Sequence, residues 1–552
     1  MKKLIILPVF ILSQILSAQV SITLDSSITF QTISGWEAAN QSHADTDGDP
    51  GGPNPLFPLY KDTLFDLAVN DLGLNRLRLE IMTGSENPVD YWSQWYNAQI
   101  TYNAKGLHRY EIINDNSNPY LINPAGFHFT QLDFAIDSVV LPIKQRLQTK
   151  GEMLYLNLCV VDFGAGVTTG NVNFETDSAE YAEFILAAFQ HIQSKYGWYP
   201  SSLEIILEPE HHWGFDGKRV GMNLVAAAKR LQANGFTPEF IAPSYSYFQN
   251  TLNGIPHMLN VPGILNYVDE LSYHCYQNCN IPNFRKLDSI AKAHGLRTSQ
   301  LEKIGRDYNG LYDDLKYANV SAFQQFTIAY GPNAAGGGEY YALDMITDPI
   351  HPKITTGPMT KFLRQYFKFI RRGAVRIQAN SSDTVNIAPL SFINTNGTWV
   401  VAVKTTAGYS FSISGLPGGQ YGIKYTTTTQ YDIDLADQQI VQGGIITSSI
   451  PGAGVITIYG KGTTTSVLQS SKGEYELRAY PLPLKEFFNY ELIGQTQGYV
   501  NISVMNLQGK NIIEKLHQQA KGRIYMEDIA SGIYFLRVET DRQVYHQKLV
   551  KQ

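Results

Sequence analysis

The hydrophobic and polar positions of this chain change their period twice, and each change predicts a different kind of structure. Residues 19–33 alternate apolar and polar side chains, which predicts one or two half-exposed strands. Between residues 34 and 373, short apolar runs alternate with amphipathic stretches of helical period, a pattern typical of repeated strand-helix units. Strict alternation returns from 374 to 461, with hairpin signals such as Asn396-Gly397. The pattern therefore predicts an α/β domain with β-rich segments on both sides of it.

Two short apolar runs within the α/β region each end in a glutamate. Leu203–Leu207 reads as a strand covered on both faces, Glu208 stands at its end, and Pro209 lacks the backbone donor that would continue it. The second run, Leu296–Glu302, also ends in a carboxylate. Positions 208 and 302 are 94 residues apart, which corresponds to three strand-helix units of about 30 residues each. The two glutamates would then end strands four and seven of an eightfold barrel, whose active sites lie at the C-terminal ends of the strands.

Each of these glutamates also has a plainer interpretation, because a lone Glu is usually a solvated surface residue. The three-unit spacing of two strand-terminal carboxylates favours a paired site instead. Glu210 lies in the same loop as Glu208, and spacing alone leaves it open as an alternative acid. On the predicted second strand, Arg76, Arg78 and Glu80 share one side, where a buried Arg requires a carboxylate partner.

With these residues in place, the chain resembles the retaining barrel glycosidases, and glycoside hydrolase family 30 most closely. That clan carries an acid/base Glu in an Asn-Glu-Pro motif at the end of strand four and a nucleophile Glu at the end of strand seven. The matching residues here are Glu208-Pro209 and Glu302. Ile33–Asn40 resembles the family's first barrel strand, and Thr360–Ile377 resembles its final helix and exit into a side domain.

The resemblance implies a fold and a mechanism. The fold is a (β/α)8 TIM barrel over 34–373, with a β-sandwich side domain built from 19–33 and 374–461. The mechanism is a double displacement in which Glu302 attacks the anomeric carbon while Glu208 protonates the leaving oxygen and later activates water. The expected substrate is a β-linked polysaccharide or oligosaccharide, and no metal or organic cofactor is expected.

Five further residues are expected to bind the substrate or support the nucleophile. By resemblance, Arg78 and Tyr276 would hold the charged form of Glu302, and His274 would contact the sugar. Trp36 and Trp213 would line the sugar subsite, although a core role for Trp36 is equally favoured. A lone His is more often structural, but the strand-six position of His274 favours a place in the site.

One departure from the family pattern keeps a second function open. Leu207 stands where the clan has an Asn that bonds the sugar 2-hydroxyl. The alternative from another class is therefore a non-catalytic glycan-binding protein of the same fold.

The two ends of the chain predict export. Residues 1–18 have the basic start, the apolar run and the small residues of a signal peptide, and the run is too short to span a bilayer. Residues 462–473 read as a linker of Gly, Thr and Ser. Residues 474–552 are short strands whose motifs, including Asn506–Lys510 and Ser531–Phe535, resemble the sorting domain of the type IX secretion system. That resemblance implies a small C-terminal all-β sorting domain, contact with that secretion machinery, and a secreted or cell-surface location.

Charge, cysteine content and one acidic loop bear on possible partners, disulfides and metal binding. A net charge of −6 with 17% charged residues gives no basic footprint for nucleic acid or anionic membrane, and no segment after the signal peptide has the length of a transmembrane helix. The 3 cysteines do not suffice for a disulfide framework, although Cys275 and Cys279 are close enough to pair. Asp45–Asp49 resembles a calcium loop, but Pro50 and Leu56 break the EF-hand pattern, which favours a polar loop without a metal.

Overall fold

The structure, a computed structural model, describes residues 20–44, 52–164, 173–211, 216–331, 337–461, 476–480, 484–493, 500–506, 511–540 and 544–551. Contacts divide the chain into two compact units, Met1–Lys461 and Gly462–Gln552. The predicted signal peptide (1–18), the calcium-like loop Asp45–Asp49, Trp213 and the linker 462–473 lie outside the described residues. These predictions therefore stay predictions.

The first unit combines parallel and antiparallel strands with helices. Its strands are β1 (Val20–Thr32), β2 (Gly35–Ala39), β3 (Arg76–Met82), β4 (Tyr155–Val161), β5 (Ser202–Glu204), β6 (Glu239–Tyr247), β7 (Val268–Gln277), β8 (Arg297–Glu302), β9 (Val320–Tyr330), β10 (Glu339–Asp344), β11 (Lys353–Thr356), β12 (Val375–Ser381), β13 (Ile387–Ile393), β14 (Trp399–Thr405), β15 (Tyr409–Ser414), β16 (Gly419–Thr427), β17 (Ile433–Ile440), β18 (Ile446–Ile450) and β19 (Gly454–Gly460). Its α-helices are α1 (Phe57–Asp66), α2 (Tyr91–Tyr96), α3 (Tyr102–Leu107), α4 (Thr130–Ala135), α5 (Leu141–Thr149), α6 (Ser178–Tyr196), α7 (Gly217–Ala233), α8 (Phe248–Leu259), α9 (Ile281–His294), α10 (Tyr308–Tyr317) and α11 (Thr360–Phe367).

Strands β2 to β9 form a closed parallel barrel. Each strand pairs with the next in chain order, and β9 returns to pair with β2. Helices follow the strands and cover the outside, while the hairpin of β10 and β11 extends the sheet beyond β9. This arrangement confirms the predicted (β/α)8 TIM barrel.

The barrel strands are buried on both faces, and their alternation separates two environments. On β3, Leu77, Leu79 and Ile81 join the large apolar core that includes the surrounding helices. Arg76 and Arg78 alternate with them and bond carboxylates inside the barrel. The interior of the barrel is therefore polar, and both arginines of β3 are paired with carboxylates.

The side domain is a nine-stranded mixed sheet with the order β17-β16-β19-β14-β13-β12-β1-β15-β18. The N-terminal strand β1 lies between β12, antiparallel, and β15, parallel. Ile22, Phe411, Ile423 and Ile456 come from widely separated strands of this sheet and pack in one apolar core. The sheet therefore folds over itself as a sandwich. Side chains of β13 and β14, among them Phe392, pack instead in the core shared with the barrel.

The second unit is all-β, as predicted. Its strands are β20 (Glu476–Tyr480), β21 (Phe487–Ile493), β22 (Val500–Met505), β23 (Asn511–Gln518), β24 (Lys521–Tyr525), β25 (Gly532–Glu539) and β26 (Val544–Lys551). They form two sheets, β20-β21-β24 and β23-β22-β25-β26, around a core that contains Phe488, Ile502 and Leu536. Across the described parts of the whole chain, no helix is both long enough and apolar enough to cross a membrane.

Candidate active site

The segment after β5 carries Glu208 to the mouth of the barrel. The strand ladder ends at Glu204, earlier than the predicted strand, but backbone hydrogen bonds continue beyond it. The N–H groups of Leu207 and Glu208 donate to the carbonyls of Val160 and Ser244, at 2.9 and 3.1 Å. Glu208 itself has a φ of 46°, an uncommon left-handed conformation for a residue with a side chain. Its backbone is thus fixed between β4 and β6 at a strained position of the kind often found at functional sites.

Glu302 ends β8, and its side chain meets that of Glu208 at the C-terminal end of the barrel. A carboxylate oxygen of Glu208, a carboxylate oxygen of Glu302 and a ring nitrogen of His274 all lie within 4.8 Å of one another. The barrel therefore brings together the two glutamates that the spacing predicts.

Glu302 is buried, with 7% of its surface exposed, and two donors hold it. Arg78 Nη2 donates to Oε2 at 2.8 Å, and the Tyr276 hydroxyl donates to Oε1 at 2.7 Å. Burial alone would raise the pKa of Glu302, but the charges of Arg78 and His274 and the Tyr276 hydrogen bond outweigh it, so the pKa lies below its usual range. Glu302 is consequently ionised at neutral pH.

Glu208 has a different environment, with 13% of its side chain exposed. Its Oε1 lies 2.8 Å from Nδ1 of the buried His274, and its Oε2 lies 3.8 Å from Nε2 of His211. Burial would lower the pKa of His274, but the hydrogen bond to Glu208 and the charge of Glu302 outweigh burial and raise it. His274 therefore orients Glu208, whereas Arg78 and Tyr276 hold Glu302.

Glu210, the alternative acid, faces away toward the start of α8. Its Oε1 accepts hydrogen bonds from Ser246 Oγ at 2.8 Å, from the Tyr247 N–H at 3.1 Å and from Asn250 Nδ2 at 3.4 Å. These bonds tie the loop after β5 to the end of β6.

Trp36 lies away from the mouth, and its predicted contact with sugar is wrong. The side chain is 0% exposed, stacks on Phe367 of α11 with ring centroids 4.4 Å apart, and donates from Nε1 to the Ile370 carbonyl at 2.6 Å. The physical reason is strand alternation, because the neighbouring Glu37 points into the barrel to Arg76 and Trp36 must face the helices. Trp36 is the core aromatic of the alternative interpretation.

Leu207 and the cysteines complete the surroundings of the site. Leu207 is buried against Met82, Tyr110 and other apolar side chains, so an apolar patch adjoins Glu208 on the side of β3 and β4. Cys275 and Cys279 form a disulfide at the end of β7.

An open cavity of about 370 Å³ is lined by Glu208 and Tyr276. Its lining includes residues that the sequence reasoning missed, namely Ser246 and Tyr247 at the end of β6 and Gln277 at the end of β7. Their position at the C-terminal ends of barrel strands is the signal that could have found them.

The group that could hold a cation among the described residues is Glu208, His274 and Glu302, whose ligand atoms are the three that converge within 4.8 Å. Carboxylate and imidazole ligands of this kind suit Zn²⁺ and related ions. The guanidinium of Arg78 already supplies a positive charge to Glu302.

The C-terminal residues 478–552 match the family model of the secretion system C-terminal sorting domain. The second unit is a secretion sorting domain. Such a sorting domain marks proteins that the type IX secretion system exports to the cell surface or the extracellular space, and this protein is exported by that route. No curated protein sequence matches the chain.

Solved structures resemble the larger part of the chain. A family 30 endoxylanase from Clostridium papyrosolvens is 16% identical, with 80% of this chain and 99% of that chain covered and a TM-score of 0.54. The catalytic domain of family 30 xylanase C from Talaromyces cellulolyticus is 14% identical, with coverage of 80% and 100% and a TM-score of 0.56. An endo-beta1,6-glucanase is 13% identical, with coverage of 80% and 94% and a TM-score of 0.53. These likenesses confirm the resemblance to family 30 at the level of the fold.

Proposed function

We propose that this exported protein is a retaining glycoside hydrolase that cleaves β-linked glycans, with Glu302 as nucleophile and Glu208 as acid/base. The observation that carries the proposal is the pair of carboxylates at the barrel mouth, with oxygens within 4.8 Å of each other. Retaining enzymes hold their two carboxyl groups about 5 Å apart, whereas inverting enzymes leave room for a water at about 6.5–9.5 Å.

The environments of the two glutamates support different roles. Arg78 and Tyr276 both donate to Glu302, which favours an ionised nucleophile. Glu208 shares a hydrogen bond with Nδ1 of His274, and its carboxylate faces the open cavity. A residue of this kind can deliver a proton to a leaving oxygen.

The proposed first step forms a covalent intermediate. Glu302 attacks the anomeric carbon, the bond from that carbon to the leaving oxygen breaks, and the proton of Glu208 goes to that oxygen. In the second step ionised Glu208 takes a proton from water, the water oxygen bonds to the anomeric carbon, and the bond to Glu302 breaks. Two inversions at the same carbon give a product of retained configuration.

The hydrogen bonds of Glu210 favour Glu208 over it as the acid. Three donors from the end of β6 and the start of α8 already occupy Glu210 Oε1. We therefore assign Glu210 to positioning of the loop that carries Glu208.

The proposed substrate class follows from the similar structures, which include two xylanases and a β1,6-glucanase. Because these similar structures include xylanases and a β1,6-glucanase, the sugar and the linkage are to be found by a screen of β-glycans. The exported location agrees with a polysaccharide substrate outside the cell.

The test compares three variants on an aryl β-glycoside with a good leaving group. Glu302→Gln is expected to abolish turnover, because no covalent intermediate can form. Glu208→Gln is expected to retain the first step, since an activated leaving group departs without protonation, and added azide should restore turnover with a glycosyl azide of retained configuration. Glu210→Gln is the matched control from the same loop, and its turnover of the aryl glycoside should not depend on added azide.

Two outcomes would contradict the proposal. Azide rescue of the Glu210 variant instead of the Glu208 variant would show that the wrong acid has been named. If the wild-type protein cleaves no β-glycan while the Glu302→Gln and Glu208→Gln variants still bind one, the protein is a glycan-binding protein. Activity after dialysis against EDTA checks the expectation that no metal is required.

A further inference from the structure

A second cavity, of about 690 Å³, lies at the opposite end of the barrel from the carboxylate pair. Residues that precede or begin barrel strands line it, among them Ser34 before β2, Tyr155 at the start of β4, Glu239 at the start of β6 and Arg297 at the start of β8. The turn between β13 and β14 closes another side at Asn394–Asn396. This floor cavity is therefore separate from the proposed active site and independent of its chemistry.

Two ion pairs of the floor cavity are complete. Arg371 donates to Glu152 Oε2 from Nε and Nη2 at 3.2 and 2.6 Å. Arg297 Nη2 donates to Glu239 Oε2 at 2.6 Å. These four residues neutralise one another and form the walls of the cavity.

Two other cations of the floor cavity have no carboxylate of their own. In the described parts of the chain, no carboxylate lies within 4.0 Å of Arg372 or of Lys150. The guanidinium of the half-buried Arg372 rests on the Tyr155 ring, 5.0 Å from its centroid, and Lys150 Nζ donates to the Val69 carbonyl at 3.3 Å. The cavity thus carries an excess of positive charge.

Two other cations, Arg76 and Arg297, lie near Arg372. Arg76 lies over the same Tyr155 ring at 4.5 Å. Burial lowers the pKa of Arg372, and the like charges of Arg76 and Arg297 lower it further. The negative charges of Tyr155 and Glu239 oppose this effect. A partly desolvated cation in such surroundings gains free energy from an anion placed in hydrogen-bond contact.

We propose that the floor cavity binds an oxyanion, a carboxylate or a sulfate group, through Arg372 with Lys150 as the second charge. The planar guanidinium presents paired N–H donors that match the geometry of such groups. The volume lies in the range of about 300–1,000 Å³ typical of small-molecule sites, which leaves room for a sugar ring that carries the anionic group. An acidic sugar is therefore the preferred ligand, and a free oxyanion shares the same chemistry.

Isothermal titration calorimetry at low ionic strength tests this proposal with the full chain and three probes: sodium sulfate, D-glucuronate and the neutral D-glucose. The wild-type protein should bind glucuronate and sulfate. Arg372→Gln should weaken both by about tenfold or more, since it removes a charge-assisted hydrogen bond. Lys229→Gln removes an exposed Lys on α7, outside the cavity, and should leave both affinities unchanged.

The arms of the experiment identify the ligand. Tighter binding of glucuronate than of sulfate supports an acidic sugar, whereas equal binding supports a free oxyanion. Lys150→Gln gives a second test, with a smaller loss, if Arg372→Gln does not fold. The proposal is overturned if neither variant weakens either anion, or if Arg372→Gln weakens glucose as much as glucuronate.

Discussion

Arg78 is the residue on which the proposed role of Glu302 depends most. It donates to Glu302 and to Glu80 from one nitrogen, at 2.8 and 3.1 Å, and its side chain is fully buried. Without this cation, a main effect that opposes burial is lost, and the carboxylate of Glu302 would take up a proton at a higher pH. The activity at low pH therefore reports on this contact.

The first prediction follows from the direction of the pKa shift of Glu302. The pKa of Glu302 is depressed, so the wild-type nucleophile stays ionised as the pH falls. Its charge, and the activity that needs it, is lost only when the pH passes below this pKa. Arg78→Gln should raise that pKa, and the acidic limb of the kcat/KM profile should move upward by about 1–3 pH units. Arg78→Lys keeps the charge and should move the limb less. An unshifted limb in a folded Arg78→Gln protein would contradict the assigned role.

A second residue-scale prediction concerns Glu210. Glu210→Ala removes the acceptor for Ser246 Oγ and the Tyr247 N–H. Urea unfolding should show a loss of about 1–3 kcal/mol, because the partners lose a charged acceptor. Exogenous azide should not increase the turnover of this variant. An azide-dependent increase would assign Glu210 to the chemistry instead of to the loop.

At this scale the sequence was informative where a residue's function follows from its place on a strand. Glu208 and Glu302 were predicted because each ends a predicted barrel strand, and Arg78 was predicted from strand alternation and the resemblance. The structure brings the three side chains together. Trp36 was misplaced because its motif suggested the mouth while the alternation with Glu37 points it to the helices. The partners of Glu210 were not predictable, since Ser246 and Asn250 are 36 and 40 residues away and no local sequence pattern indicates the contact.

At the scale of elements, α7 and α8 approach closely behind the loop that carries Glu208. A Cβ added to Gly217, the first residue of α7, would lie 2.0 Å from the Gly254 carbonyl oxygen in α8. The contact is between backbones, so neither side can move without shifting a helix. The start of α7 therefore depends on a glycine that capping and amphipathic patterns do not reveal.

Gly217→Ala should consequently lower stability by about 1–3 kcal/mol, the usual range for overpacking in a filled core. Gly106→Ala is the matched control, because Gly106 also lies in a helix, α3, and its added Cβ meets nothing within 4 Å. That variant should be neutral or up to about 1 kcal/mol more stable. Urea unfolding followed by circular dichroism measures both, and equal effects would contradict the close packing of α7 on α8.

Local sequence patterns predict some element boundaries and not others. Helix α6 begins at Ser178, where the preceding Asp177 caps it by accepting from the Ala179 and Glu180 N–H groups, a contact local in sequence. The predicted strand at Leu203–Leu207 was longer than the ladder of β5, which ends at Glu204. Apolar runs indicate burial, but the length of a ladder depends on the neighbouring strands.

At the scale of the whole molecule, the chain separates into a barrel unit with its side sheet and a sorting domain. The two units have separate apolar cores, and Lys461 ends the first unit. The sequence predicted this order of parts from the change of period and from the terminal motifs.

Removal of Glu474–Gln552 should leave the barrel unit folded and its hydrolytic activity unchanged, because that unit has a core of its own. The same deletion should prevent delivery to the cell surface or medium, because the sorting domain is lost. Activity of the purified truncated protein and cell fractionation measure the two effects. Loss of activity in a folded truncated protein would contradict the independence of the units.

The central claim is that Glu302 forms a covalent bond with the sugar. The most direct measurement treats the protein with a panel of activated 2-deoxy-2-fluoro β-glycosides, which slow the second step, and maps the labelled peptide by mass spectrometry. The account predicts one added glycosyl group per chain, located on Glu302 and absent from Glu302→Gln. A label on another residue, or hydrolysis of an unmodified β-glycoside with inversion of configuration, would contradict it.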